Sequence, residues 1–171
     1  MVDLFVLQSV SYVAGALGVL LAAFNYMIST RNADKARQAT LFMGLYKDMS
    51  TDEIPRIGQE VGDLQWTDFN DFRRKYDSSV NFENYVKRIR VWNWFNGLGV
   101  LVKKKLIDVD LVYETLGQYI IYQWSKWRDI FLEYKKLGEM APDFMDGFEF
   151  LGGEMNRIRK EKGIKMETRS P

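Results

Sequence analysis

The chain has 171 residues, 47% of them apolar and 15% aromatic, with a formal net charge of +1. It contains no cysteine and no histidine. Disulfides, Cys/His zinc sites, Ser–His–Asp and Cys–His nucleophilic systems, and haem or iron–sulfur centres held by those residues are therefore excluded. The composition is too apolar for a disordered tail, and the near-zero charge exerts no bulk attraction on nucleic acid.

Leu4–Ile28 is a run of 25 residues without a charge. As a helix it would be roughly 37 Å long, more than the ~30 Å hydrocarbon core of a bilayer. A cleaved signal peptide would need a basic start and a shorter apolar core, and a buried core helix seldom runs so long without a charge. The sequence thus predicts a membrane anchor over 1–30. Asp3 precedes the run, and Arg31, Lys35 and Arg37 follow it against Asp34. By the positive-inside rule the N-terminus lies outside and the rest in the cytoplasm, with the three cations placed to contact anionic lipid. Ala14, Gly18 and Ala22 recur every four residues, with Ser11 and Gly15 beside them. Such a stripe can drive helix association in lipid, and Gln8 and Asn25 could bond across helices. Small residues are also simply common in membrane helices.

Ser29–Asp48 continues the helical pattern, predicting a stalk over 31–50. A helical cytoplasmic domain follows over 51–160, and then a basic tail over 161–171. Ser50–Glu53 has the form of a capping box, with Pro55 early in the helix that follows. Thr67 is placed to cap a short helix carrying Phe69 and Phe72. Asp77-Ser-Ser is a break. From Asn81 a long helix presents Tyr85, Ile89, Trp92, Phe95, Gly99, Val102 and Leu106, and ends in Lys103, Lys104 and Lys105. That triplet complements the helix dipole, or else binds an anionic partner. Asp108 caps a helix to about Leu137, with Val112, Leu116, Ile120, Trp124, Trp127, Phe131 and Tyr134 as its apolar stripe, and Gly138 stops it. A last helix starts at Ala141-Pro142-Asp143. No strand pattern or internal repeat stands out. The fold class is all-α: one transmembrane helix continuing into a bundle of about five helices, its core formed by the helices near 81–106 and 109–137 with that near 142–160 across them.

The stretches Trp92–Tyr134 (WNWFNGLGVLVKKKLIDVDLVYETLGQYIIYQWSKWRDIFLEY) and Phe144–Leu151 (FMDGFEFL), about the last half of the chain, carry a resemblance. They resemble an uncharacterised prokaryotic family, a domain of unknown function, whose members pair one N-terminal span with a helical cytoplasmic domain. The resemblance implies the anchor and the fold, and no activity.

Chemistry is sparse. Trp92, Asn96, Trp124 and Trp127 form a candidate ligand or partner pocket, although aromatic residues at helical spacing are more often core. Asn93 and Asn96, if buried, must be hydrogen-bonded and can then fix helix register. Arg88, Arg90 and Arg128 are expected to pair with carboxylates such as Glu114 or Glu133. Asp143, Asp146 and Glu149 lack the rhythm of a calcium loop and read as a solvated face. The expected function is a membrane-tethered, non-catalytic interaction or scaffold module with the bilayer as a partner and with self-association as a homo-oligomer or another membrane protein as the further candidates, without cofactor or nucleic acid. The alternative is a sensor or regulator binding a small ligand between the Trp-rich helices. An enzyme lacks paired groups. A multi-copy pore has only Gln8, Ser11 and Asn25 as polar lining.

Overall fold

The computed structural model describes residues 4–51 and 53–164. It is all-helical, with six helices: α1 (Leu4–Ser50), α2 (Glu53–Gly62), α3 (Phe69–Tyr76), α4 (Phe82–Lys103), α5 (Val109–Lys136) and α6 (Asp146–Glu161). The chain divides into two units, one reaching to Thr40 and one beginning at Leu41.

The first unit is the greater part of α1. Anchor and stalk form one unbroken helix, as the absence of a breaker predicts. It is long and apolar enough to cross a membrane, and its most apolar window has no residue buried inside the protein. Its polar side chains bond within the helix. The hydroxyls of Ser9 and Ser11 donate to the carbonyls of Phe5 and Leu7, each at 2.9 Å. Gln8 Nε2 donates to Tyr12 Oη at 3.1 Å.

In the second unit, α4 packs against α6, α2 and α3, and α5 packs against α6. Side-chain caps start two of these helices where the sequence places them. Asn81 accepts from Asn84 N (3.0 Å) and Asp108 from Leu111 N (3.0 Å). The cap of α3 is Asp68, not Thr67: Asp68 Oδ1 accepts from Asp71 N at 2.8 Å, and Asp71 Oδ2 accepts from Thr67 N at 3.1 Å. The carboxylate is a stronger acceptor than the hydroxyl one residue earlier. Glu53 pairs with Arg90 of α4; the Ser50 side chain, and with it the expected capping box, and Asp52 lie outside the described residues. Gly138 ends α5 with φ +69°, and the bonds Gly138 N to Lys135 O (3.1 Å) and Glu139 N to Tyr134 O (3.1 Å) complete a Schellman turn.

Asp71 is almost wholly buried and also accepts from Lys75 Nζ at 2.7 Å. That bond, with further help from Thr67 N and Arg74, lowers its pKa to about 2 against the opposing effect of burial. The folded value lies below the unfolded one, so this stabilisation is complete above the ordinary carboxylate range near ~4 and is lost as pH falls through about 2. Asp71→Asn should flatten the acid limb of a stability-versus-pH curve in that window; an unchanged limb would mean that another carboxylate controls it.

The buried face of α4 comprises Arg88, Val91, Trp92, Phe95, Leu98, Gly99 and Val102, whereas Tyr85 and Ile89 are only half-buried. The expected stripe is thus broadened and rotated, because α2, α3 and α6 pack against α4 and rings of α5 meet it as well. The fully buried rings of Trp92, Trp127, Phe72, Phe95 and Phe148 form the centre of the core.

Candidate functional site

On α1, Ser11, Ala14, Gly15, Gly18 and Ala22 are all exposed. Cβ atoms built on Gly15 and Gly18 would meet nothing within 4 Å, so a second backbone can approach this face closely. Arg31, Lys35 and Arg37 are exposed further along the same helix.

The aromatic residues of α4 and α5 pack on each other. Trp92 and Trp127 are fully buried, edge to face with ring centroids 5.1 Å apart. Trp92 meets Phe131 at 4.8 Å, and Trp127 meets Trp66 at 5.0 Å. Trp124 is half-buried, 5.4 Å from Phe148. Trp127 Nε1 donates to Gln123 Oε1 at 3.0 Å, whereas the buried Nε1 atoms of Trp92 and Trp94 have no hydrogen-bond partner among the described residues. Gln123 is itself fully buried, and its Nε2 donates to Gly58 O (3.3 Å) and Tyr119 Oη (3.2 Å), fastening α2 to α5. Burial raises the pKa of Tyr119.

Asn96, the fourth member of the predicted group, reaches away from the indoles. Its Oδ1 accepts from Gly147 N (2.9 Å) and Phe148 N (3.2 Å), capping α6 from α4. This explains why α6 starts at Asp146 and not at Asp143. Its own N-cap residue, Met145, is left-handed (φ 61°) and makes no side-chain cap, so the donors of the first turn are satisfied from the neighbouring helix. Asn96→Ala should cost about 1–2 kcal/mol in urea unfolding, and Asn96→Asp, which keeps the acceptor, should stay near the parent. Equal losses would assign the effect to side-chain volume and not to the cap.

Of the arginines expected to pair with carboxylates, Arg90 does so, with Glu53 and not with Glu114 or Glu133, and Arg88, among the described residues, does not. Arg88 is buried; it donates through Nε to Asn84 Oδ1 (2.8 Å) and through Nη2 to the Tyr76 carbonyl at the end of α3. Arg90 pairs with Glu53, and Glu133 with Lys136. Sequence reasoning missed Arg88 as a core residue; its place one turn before Trp92 on an apolar helix was the available signal. A surface depression of about 460 Å³ is lined by Lys103, Leu132, Lys135, Pro142, Asp146, Glu149 and Phe150. Inside it Lys135 Nζ bonds Glu149 (3.1 Å) and Asp146 (3.5 Å), two of the three acids of the predicted solvated face. Among the described residues no three His, Cys, Asp or Glu side chains gather to hold a metal ion.

Together these features define a class: a helical bundle with an aromatic core, joined to a long helix whose apolar side chains the chain leaves uncovered. The chain belongs to the family described as Domain of unknown function (DUF4760), whose model matches residues 12–152. The match takes in most of the apolar run as well as the bundle, well beyond the last half on which the resemblance was read. No curated protein and no solved structure matches the chain.

Proposed function

We propose that the protein is a non-catalytic interaction module held on a cell membrane by α1, with its N-terminus outside and its bundle in the cytoplasm, as in a prokaryotic family of single-span proteins. The observation that carries this reading is the uncovered apolar face of α1. Leu7, Leu17, Leu20, Leu21 and Phe24 are 55–65% exposed, and the first unit supplies nothing to bury them. Exposed apolar surface on this scale marks a contact with lipid or protein, and a 25-residue run suits lipid. Arg31, Lys35 and Arg37 then meet the anionic inner leaflet. The stripe from Ser11 to Ala22 is the surface for self-association or a membrane partner.

The non-catalytic reading is supported by where the perturbed groups sit. Asp71, Arg88, Lys126 and Tyr119 are all engaged in packing or backbone contacts, for instance Lys126 Nζ to Leu64 O at 2.6 Å. A ligand between the Trp-rich helices would have to part rings already in contact.

The test is extraction of cell membranes with alkaline carbonate, followed by protease treatment of sealed vesicles of known orientation. The protein should stay in the pellet, with the bundle cleaved only from the cytoplasmic face. Release as a monomer without detergent would remove the membrane reading, and cleavage from the opposite face would reverse the topology.

A further inference from the structure

Many surface cations of the helical unit sit in ion pairs, such as Arg73–Glu139 (2.8 Å), Lys87–Glu60 (2.9 Å) and Arg157–Glu161 (2.8 Å). Lys103, Lys104 and Lys105 are exposed and consecutive, and among the described residues none forms an ion pair; Lys103 Nζ lies 5.9 Å from the centre of the Phe150 ring. Three of the nearby acids are already engaged. Asp108 accepts from Leu111 N as the cap of α5, and Asp146 and Glu149, which border the same depression as Lys103, are held by Lys135.

The backbone supplies an independent observation. Helices α4, α5 and α6 end in the same way: the residue after each C-cap is left-handed and its follower bonds back to the last turn, as in Leu106 N to Leu101 O (2.9 Å) and Ile164 N to Arg159 O (3.2 Å). At two of these ends the left-handed residue is glycine, Gly138 (φ +69°) and Gly163 (φ +66°); at α4 it is Lys105 (φ +56°). Glycine adopts this conformation freely, and a side chain with a Cβ does not. The turn therefore does not account for a lysine at 105, but a use for its charge does. Val100, 42% exposed, lies one turn before Lys104 and adds an apolar contact beside the cations.

We propose that Lys103–Lys105 dock the helical unit onto an anionic phospholipid surface, with Val100 at the headgroup boundary. This rests on the reading of α1 as a membrane span. Only residues 29–40, about 18 Å of helix, separate the apolar run from the helical unit, so anchoring by α1 keeps that unit near lipid headgroups, the most abundant anions at a membrane surface. Each lysine near an anionic leaflet multiplies the docked population about fivefold, and three together about a hundredfold.

The experiment uses the full chain in vesicles of phosphatidylcholine, alone or mixed with phosphatidylserine. The chain has no cysteine, so Thr115→Cys, exposed in the second turn of α5 close to the lysines, supplies a single labelling site for energy transfer to headgroup-labelled lipid. Transfer should rise in the phosphatidylserine vesicles and fall back in high salt. In the K103Q/K104Q/K105Q variant it should stay at the phosphatidylcholine level, with helicity and melting temperature unchanged because the side chains are exposed. Equal transfer in both lipids, or a rise retained by the triple variant, overturns docking. Amine-reactive labelling of the three lysines adds one further arm. Protection by inorganic phosphate over phosphatidylcholine equal to that by phosphatidylserine would show a phosphate site and overturn the lipid surface. Carbonate resistance measured on the same vesicles separates the two readings: insertion without lipid-dependent transfer removes only the docking, and loss of insertion removes both.

Discussion

Gly99→Ala is expected to destabilise the bundle by about 3 kcal/mol or more, enough to abolish cooperative folding in a marginal domain. A Cβ at Gly99 would lie 1.8 Å from the Gly147 carbonyl oxygen and 2.3 Å from its carbon, both backbone atoms that cannot rotate aside. The reciprocal contact is just as close, since a Cβ at Gly147 would lie 2.3 Å from Asn96 O. Helices α4 and α6 thus cross backbone to backbone, and the crossing brings Asn96 within reach of the first turn of α6. Gly97 is the internal control. It lies on the same helix, but a Cβ there meets nothing within 4 Å, so Gly97→Ala should stabilise by a few tenths to about 1 kcal/mol through helix propensity. Thermal melts of the two variants should move in opposite directions. A mild effect of Gly99→Ala would mean that the two helices slide apart at little expense and that the crossing is not fixed.

Arg88→Ala is expected to cost about 3 kcal/mol. The guanidinium is 1% exposed and, among the described residues, forms no ion pair with a carboxylate. It is held instead by the Tyr76 carbonyl, by Asn84 Oδ1, and by the faces of Phe72 (4.7 Å) and Trp92 (5.2 Å). The Tyr76 carbonyl lies at the C-terminus of α3, where a cation also meets the negative end of the helix dipole. Desolvation lowers the pKa of Arg88, with Tyr134, Asp77 and Tyr85 acting in the opposite sense. Truncation to alanine leaves a cavity beside Trp92 and strands the Tyr76 carbonyl. Arg88→Met keeps most of the volume and removes the charge, so it separates the two causes. It should recover about half of the loss. A methionine variant as stable as the parent would show that the buried charge contributes nothing beyond its packing. Chemical unfolding of the three proteins, followed by tryptophan fluorescence, gives the comparison.

Periodicity and caps made much of the fold legible. The all-helical class, the long apolar first helix, the caps at Asn81 and Asp108 and the stop at Gly138 depend on interactions spanning at most five residues. Misreadings arose where the deciding contact is distant in sequence. The start of α6 was placed too early because its cap, Asn96, lies 51 residues before Gly147. Arg88 was expected at the surface, where an arginine usually pairs with a carboxylate, because nothing local shows that the end of α3 folds back over it. Of the predicted pocket residues, Trp92 and Trp127 pack into the core, and Asn96 is spent on capping α6. No local signal distinguishes an indole that lines a pocket from one that fills a core.

The sequence by itself determined that the chain is helical, where most helices start and stop, and that its first helix is apolar along more than a bilayer's thickness, because propensity, capping and hydropathy are properties of neighbouring residues. Only the tertiary structure decided which face of α4 is buried, where Arg88 and Asn96 direct their polar atoms, and which glycine carries a helix crossing. These outcomes depend on approaches of a few ångströms between segments far apart in the chain, and a local pattern holds no information about such distances.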